Sequence, residues 1–354
     1  MALMLIVSVA WCMFLGVLFV TACLWGLRRM TRDLAREAEA RLPPCGGFID
    51  TSGGRLHYVD VGQGPPLVMI HGLGGQLQHF TYALTEALGN DFRVIAIDRP
   101  GSGYSAPTDD RRAHLACQAQ ALHEAWQALG IERPLVVGHS MGGAVALTLA
   151  LEYPEEVAGL ALLAPLVAQV SDVPPAMRLL AIRSPRWRRW MAETLAIPLT
   201  RVTSRQALAQ VFAPEAVPAD YAMRGGGVLA LRPQAFHAAS TDLAMLEHEL
   251  PRQVLRYAAL GVPLGVMFGK HDRILEPALH IETLQRQRPD MLVHVEPEAG
   301  HMLPIMRPEA TTAFIRRMAA RPGLPPSDKN AQASNPAQKT AQAPSRRRSK
   351  VSAS

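Results

Sequence analysis

The sequence predicts an α/β protein, and three observations carry that prediction. Short apolar runs of strand length recur along the chain: Pro66–Ile70, Phe92–Ile97, Leu135–Val137, Val157–Leu163, Pro263–Phe268 and Met291–Val295. Several of them end directly in glycine-containing turns, as in His71-Gly72-Leu73-Gly74-Gly75 and Gly138-His139-Ser140-Met141-Gly142-Gly143. The second of these turns leads into Ala144–Tyr153, a strong helix former that stops at Pro154.

From Leu3 to Leu27 there are 25 residues without a charge. About 20 suffice to cross a bilayer, so residues 1–27 are expected to form a membrane anchor. A cleaved signal peptide is the competing reading, but no basic residue precedes the run and its length exceeds the usual apolar region of a signal. Val20-Thr21-Ala22-Cys23 has the form of a lipoprotein cleavage box with Cys23 as the lipidated residue, although Leu24-Trp25-Gly26-Leu27 continues the apolar run past it. Arg28, Arg29, Arg32, Arg36 and Arg41 crowd the following flank, and by the positive-inside rule the rest of the chain then faces the cytoplasm. Residues 28–46 read as a charged helical stalk ended by Pro43-Pro44, with the folded region expected over 47–320.

Ser140 stands at the centre of a Gly-x-Ser-x-Gly between a strand and a helix. Glycines at such a turn remove side chains that the sharp bend cannot accommodate, and the helix N-terminus favours a developing anion. A serine needs a base to take its proton and an acid to orient that base. Asp272 follows the strand Pro263–Phe268, and His301 follows Met291–Val295 through Glu298-Ala299-Gly300. An oxyanion needs two backbone donors: Met141, next to the serine, supplies one, and Leu73 in the loop after Pro66–Ile70 is the expected second. His71 is read as bracing that loop rather than as a base. Glu276 is the nearest competitor to Asp272 for the acid.

With this order of serine, acid and histidine, the chain resembles the α/β-hydrolase superfamily over residues 47 to 320. The likeness includes Asp98-Arg99-Pro100-Gly101-Ser102-Gly103, which in that family is a structural turn with Gly more usual where Pro100 stands. The resemblance implies a mostly parallel eight-stranded sheet with helices on both faces. It also implies a helical cap inserted at about 166–250, where the strand rhythm stops and Pro174, Pro175, Pro185, Pro198, Pro214 and Pro218 break helical pieces. Within it, Arg178, Arg183, Arg186, Arg188, Arg189, Arg201 and Arg205 face a single Glu193 beside Trp187 and Trp190, the composition of a membrane-surface element.

The chain carries a net charge of +6. Residues 321–354, with seven basic side chains against Asp328, account for that whole excess, so no nucleic-acid surface is implied on the folded part. That segment is nearly free of large apolar residues and is expected to be disordered. Cys12, Cys23, Cys45 and Cys117 form neither a disulfide framework nor a zinc spacing, and no metal or cofactor is implied.

The resemblance thus implies a serine hydrolase with Ser140 as nucleophile, His301 as base and Asp272 as its orienting acid, acting on carboxylic esters. The elbow and anchor together look most like monoacylglycerol-lipase-type members. Carbon-carbon bond hydrolases, perhydrolases and acyltransferases use the same triad, while epoxide hydrolases and dehalogenases carry Asp where Ser140 stands. A catalytically silent, membrane-tethered binding protein is the remaining alternative.

Overall fold

The computed structural model describes residues 2–170 and 172–321. Eight strands form one sheet: β1 (Gly47–Thr51), β2 (Gly54–Val61), β3 (Pro66–Ile70), β4 (Arg93–Ile97), β5 (Leu135–His139), β6 (Gly159–Leu163), β7 (Leu264–Gly269) and β8 (Leu292–Glu296). Their spatial order is β1-β2-β4-β3-β5-β6-β7-β8. β1 pairs with β2, and β2 with β4, antiparallel; every pairing from β4 through β8 is parallel. The carboxyl ends of β3 to β8 therefore lie along one edge, where ligands of open α/β sheets bind.

The central strands are covered on both faces. β5, β6 and β7 are buried at every position, which is why they read as continuous apolar runs rather than alternating ones. The helix Met141–Glu152 has no polar stripe and is buried from Met141 through Ala150. It belongs to the main core together with Trp126, Leu162 and Phe268.

Between β6 and β7 lies a helical insertion: a 3-10 turn Pro175–Leu180 and helices Pro185–Glu193, Ala196–Phe212, Tyr221–Arg224 and Pro233–Val254. The last helix continues past the expected boundary at 250. Phe236 with Ala192, Ala196 and Ile197 makes a small second core, and Leu34 completes it.

Leu34 belongs to the N-terminal helix, and here the sequence expectation is corrected. Anchor and stalk are one unbroken helix, Ala2–Arg41, long and apolar enough to cross a membrane. Residues 28–41 are not a free stalk. Thr31, Leu34 and Ala38 are buried, Thr31 Oγ1 donates to Thr194 O at 3.2 Å, and Glu39 pairs with Arg232 at 2.8 Å. The spacing of three and then four residues puts these contacts on one helical face.

The arginine-rich stretch also divides. Arg188 is fully buried, its guanidinium bonded to Asp110 at 2.5 Å and to the carbonyls of Ile182 and Arg183, so it holds the insertion together rather than facing outward. Arg186 and Arg189 are exposed. The tail expected to be disordered lies, from residue 322 onward, outside the described residues.

Candidate active site

Ser140 lies between the end of β5 and the helix Met141–Glu152, and its backbone is strained: φ is 53° and ψ −121°. A non-glycine residue in that region costs on the order of 1–3 kcal/mol and persists only when its surroundings impose it. Here Ser140 N donates to Leu163 O at 2.9 Å, and Ser140 O accepts from Gly143 N and Leu166 N, both at 2.9 Å. Gly142 has no room for a side chain, because a Cβ there would lie 2.6 Å from His71 O. Met141 opens the helix, so its N–H has no acceptor a turn earlier within it.

The loop after β3 lies against this turn. A Cβ on Gly72 would stand 2.8 Å from Ser140 Cβ and 3.3 Å from its Oγ, so glycine is what allows the backbone to approach the hydroxyl. Leu73 is the next residue of that loop. His71 donates from Nδ1 to Gly72 O at 2.9 Å and accepts at Nε2 from Arg99 N at 3.0 Å, so one ring nitrogen is used within the loop and the other ties it to the turn after β4. Burial, with the nearby Arg99 charge, holds its pKa well below the usual histidine value.

Asp272 and His301 meet across the ends of β7 and β8. His301 Nδ1 is 2.7 Å from Asp272 Oδ2, with both side chains nearly inaccessible. The other carboxylate oxygen accepts from Ile274 N at 2.8 Å and Leu275 N at 2.9 Å. With Nδ1 donating to the carboxylate, Nε2 is the nitrogen left to accept a proton. No hydrogen bond joins Ser140 Oγ to the His301 ring among the described residues. Catalytic contacts of this type commonly tighten only with substrate bound. Glu276, exposed at the N-cap position of the helix Pro277–Gln285, makes no side-chain capping bond, and the carboxylate on His301 is that of Asp272.

Several residues here escape sequence reasoning. His139 Nε2 donates to His301 O at 3.0 Å, tying the nucleophile's own turn to the histidine loop. His79, 3.2 Å from Tyr221 Oη, stands beside it, the two imidazole centroids 6.4 Å apart. Burial and then the His301 charge lower His79 to about 4 and His139 well below the usual value, so both rings are neutral. Arg99, read from sequence only as part of a turn, joins three elements. It donates to His71 O and Gly72 O at 3.0 Å each, to Gln118 Oε1 at 2.7 Å, and to Asp242 Oδ2 of the helical insertion at 2.8 Å. The pairing Arg99–Asp242 joins residues far apart in sequence, and nothing local signals it.

A cavity of about 500 Å³ opens under the insertion. Leu166, Val170, Ile182, Leu243, Leu246 and Leu250 make it mainly apolar, and Arg183 pairs with Glu247 at 2.7 Å on its wall. Ser140 and His301 do not line it, but Leu166, whose amide bonds to Ser140 O, does.

Comparisons with known proteins agree with this architecture. The family model for the alpha/beta hydrolase fold matches residues 65–308. The chain is 28% identical over 281 residues to haloalkane dehalogenase 2 of Mycobacterium tuberculosis, covering 76% of this chain and 92% of that protein. It is 40% identical over 119 residues to the dihydrolipoyllysine-residue acetyltransferase component of the acetoin cleaving system of Cupriavidus necator, covering 33% of this chain and 31% of that one. The chain thus matches about a third of that relative's length. The crystal structure of a membrane phospholipase A superposes with a TM-score of 0.59 at 21% identity, covering 90% of this chain and 99% of that chain, a likeness of fold. The matched span, more than two thirds of the chain, contains the Ser140 turn and the Asp272–His301 pair, and the chain belongs to the alpha/beta hydrolase fold family.

Proposed function

We propose that this chain is a membrane-anchored serine hydrolase that cleaves carboxylic esters of lipid-like substrates such as monoacylglycerols. The observation that carries the proposal is the 2.7 Å pairing of His301 Nδ1 with Asp272 on the sheet edge that also presents Ser140 in a strained turn. Ser140 Oγ attacks the ester carbonyl as His301 Nε2 takes its proton. The oxyanion is received by the amides of Met141 and Leu73. His301 returns the proton to the departing alcohol, leaving an acyl group on Ser140. Water, deprotonated by the same ring, then releases the acid, and Asp272 stabilises the imidazolium in both steps.

The nucleophile's identity argues against haloalkane chemistry despite the dehalogenase relative. Displacing a halide with a serine oxygen would leave an alkyl ether, which water does not cleave, whereas an acyl-serine is a hydrolysable ester. The apolar cavity beside Leu166 supports an acyl chain on the substrate. The apolar, fully exposed face of the N-terminal helix supports a bilayer tether, and the arginines that follow it support a cytoplasmic catalytic domain.

The test is covalent labelling of the full-length protein in detergent with a fluorophosphonate, followed by hydrolysis of acylglycerols, phospholipids and aryl esters of graded chain length. Ser140→Ala is expected to abolish labelling and lower kcat by at least about 10³-fold while leaving the melting temperature near that of the parent. Full activity in that variant would refute the proposal. Transfer of the acyl group to an added alcohol in preference to water would favour the acyltransferase alternative.

A further inference from the structure

The N-terminal helix is a ruler for the depth of everything that touches it, since each residue adds about 1.5 Å along its axis. Between Met4 and Leu27 every side chain is exposed except Leu24 and Leu27. These two fall in phase with the buried Thr31, Leu34 and Ala38, so one docking stripe runs from the last turns of the apolar segment into the charged one. The contacts are ordered along it. Arg28 pairs with Glu193 at 3.4 Å, Thr31 reaches Thr194 O, Leu34 packs on Ala196 and Ile197, and only at Glu39 does the helix meet Arg232. Residues 193–197 are therefore held beside the first turn or two after the apolar segment, roughly 2–10 Å along the helix beyond Leu27. Arg232 stands about 18 Å beyond it.

At that level the helix Ala196–Phe212 begins, and it carries large apolar side chains that are left exposed among the described residues. Val202 is 80% exposed and Leu199 40%, with Arg201 and Arg205 exposed on the same helix. On the preceding helix, which ends at Glu193, Trp187 is 59% exposed beside Arg186 and Arg189. Apolar and aromatic side chains interleaved with arginine suit the boundary between headgroups and acyl chains, where stems bury and charges reach phosphate.

We infer that the start of the helix Ala196–Phe212, through Leu199 and Val202 with Arg201 and Arg205 beside them, is a second membrane contact seated in the headgroup layer. The inference rests on the reading of the N-terminal helix as a bilayer span, and it commits to lipid as the occupant of this surface. The docked helix, rather than charge alone, sets the depth. Arg188, being buried, takes no part.

The experiment uses the full-length chain with its four exposed cysteines replaced by serine. A single cysteine at Val17, Val202 or Leu255 carries an environment-sensitive fluorophore, and the protein is reconstituted into vesicles of phosphatidylcholine and phosphatidylglycerol containing nitroxide lipids. Leu255, 81% exposed, lies at the far end of the helix Pro233–Val254 from Phe236 and serves as the water-facing control. The Val17 label is expected to be quenched by nitroxides deep in the acyl chain, and the Val202 label by nitroxides near the headgroup, several-fold more than the Leu255 label. Quenching at Val202 no stronger than at Leu255, with Val17 quenched, would overturn the inference and leave the anchor standing. An unquenched Val17 label would remove both. Strong crosslinking between Val202→Cys copies without lipid quenching would assign the surface to a second copy instead. Leu199→Asp with Val202→Asp should also lower hydrolysis of a vesicle-borne ester several-fold while sparing a soluble one; equal activity on both substrates would count against the inference.

Discussion

The loops at the strand ends and the helical insertion above them face each other across the same edge of the sheet, but they are held in different ways. The strand-end loops are fixed by backbone. Ser140 is locked by amides and carbonyls of Leu163, Leu166 and Gly143, Gly72 and Gly142 are placed where a Cβ would collide, and Asp272 is gripped by the amides of Ile274 and Leu275. The insertion is fixed by side chains from elsewhere: Leu34 in its core, Arg188 on Asp110, and Asp242 on Arg99. Backbone constraint gives the precision that acyl-transfer geometry needs. Side-chain docking leaves the insertion answerable to whatever moves the N-terminal helix.

Acid should break the first region before the second. His79 and His280 are held neutral by burial, each at about 4, and His71 and His139 are lowered in the same direction. Unfolded histidine titrates near 6.5. Between about pH 6.5 and 4 the unfolded chain therefore binds protons that the native chain does not, and stability falls as pH falls. At pH 5 the loss is about 2 kcal/mol for each of His79 and His280. The urea midpoint should drop markedly from pH 7.5 to 5, with hydrolytic activity lost in the same range. A midpoint that stays put would mean that these rings reach solvent or a proton acceptor in the folded state.

How much of this was legible follows the same division. The Ser140 turn, Asp272 and His301 could be singled out in the sequence because each lies within a few residues of the end of an apolar run, and a strand end followed by glycine is a local pattern. The Arg99–Asp242 pair and the position of His139 against the His301 carbonyl depend on chain crossings that no local pattern encodes. The docked helix lies between these cases. Thr31, Leu34 and Ala38 repeat at helical spacing among charged residues, and Leu24 and Leu27 extend the repeat upstream. Read as a stripe rather than as a solvated stalk, that segment announces a partner. Its identity as the insertion is visible only in the fold.

The docking makes a specific claim about truncation. Removing residues 1–27 leaves the whole buried part of the stripe in place, whereas removing 1–42 strips Leu34 from the second core and uncovers Ala192, Ala196, Ile197 and Phe236. The shorter chain should express poorly or show rapid proteolysis within the insertion, while the longer one should keep the parent's cleavage pattern. In the full-length protein Leu34→Ala should cost about 2–3 kcal/mol. Equal protease resistance of the two truncations would show that the insertion closes its core without the helix.

Within the insertion itself, neighbouring arginines should behave oppositely. Arg188 is inaccessible and donates to Asp110 and two carbonyls, so Arg188→Gln leaves buried acceptors short of donors. Asp110 is 34% exposed, and water can recover part of that loss, which puts the cost at about 2 kcal/mol rather than that of a fully buried pair. Arg186→Gln and Arg189→Gln touch exposed groups and should change stability by less than about 0.5 kcal/mol. Thermal unfolding of the three single variants in detergent separates them directly. Were all three to unfold alike, the insertion would be held by its apolar core alone, and the contrast drawn between backbone-held loops and side-chain-held cap would lose its polar half.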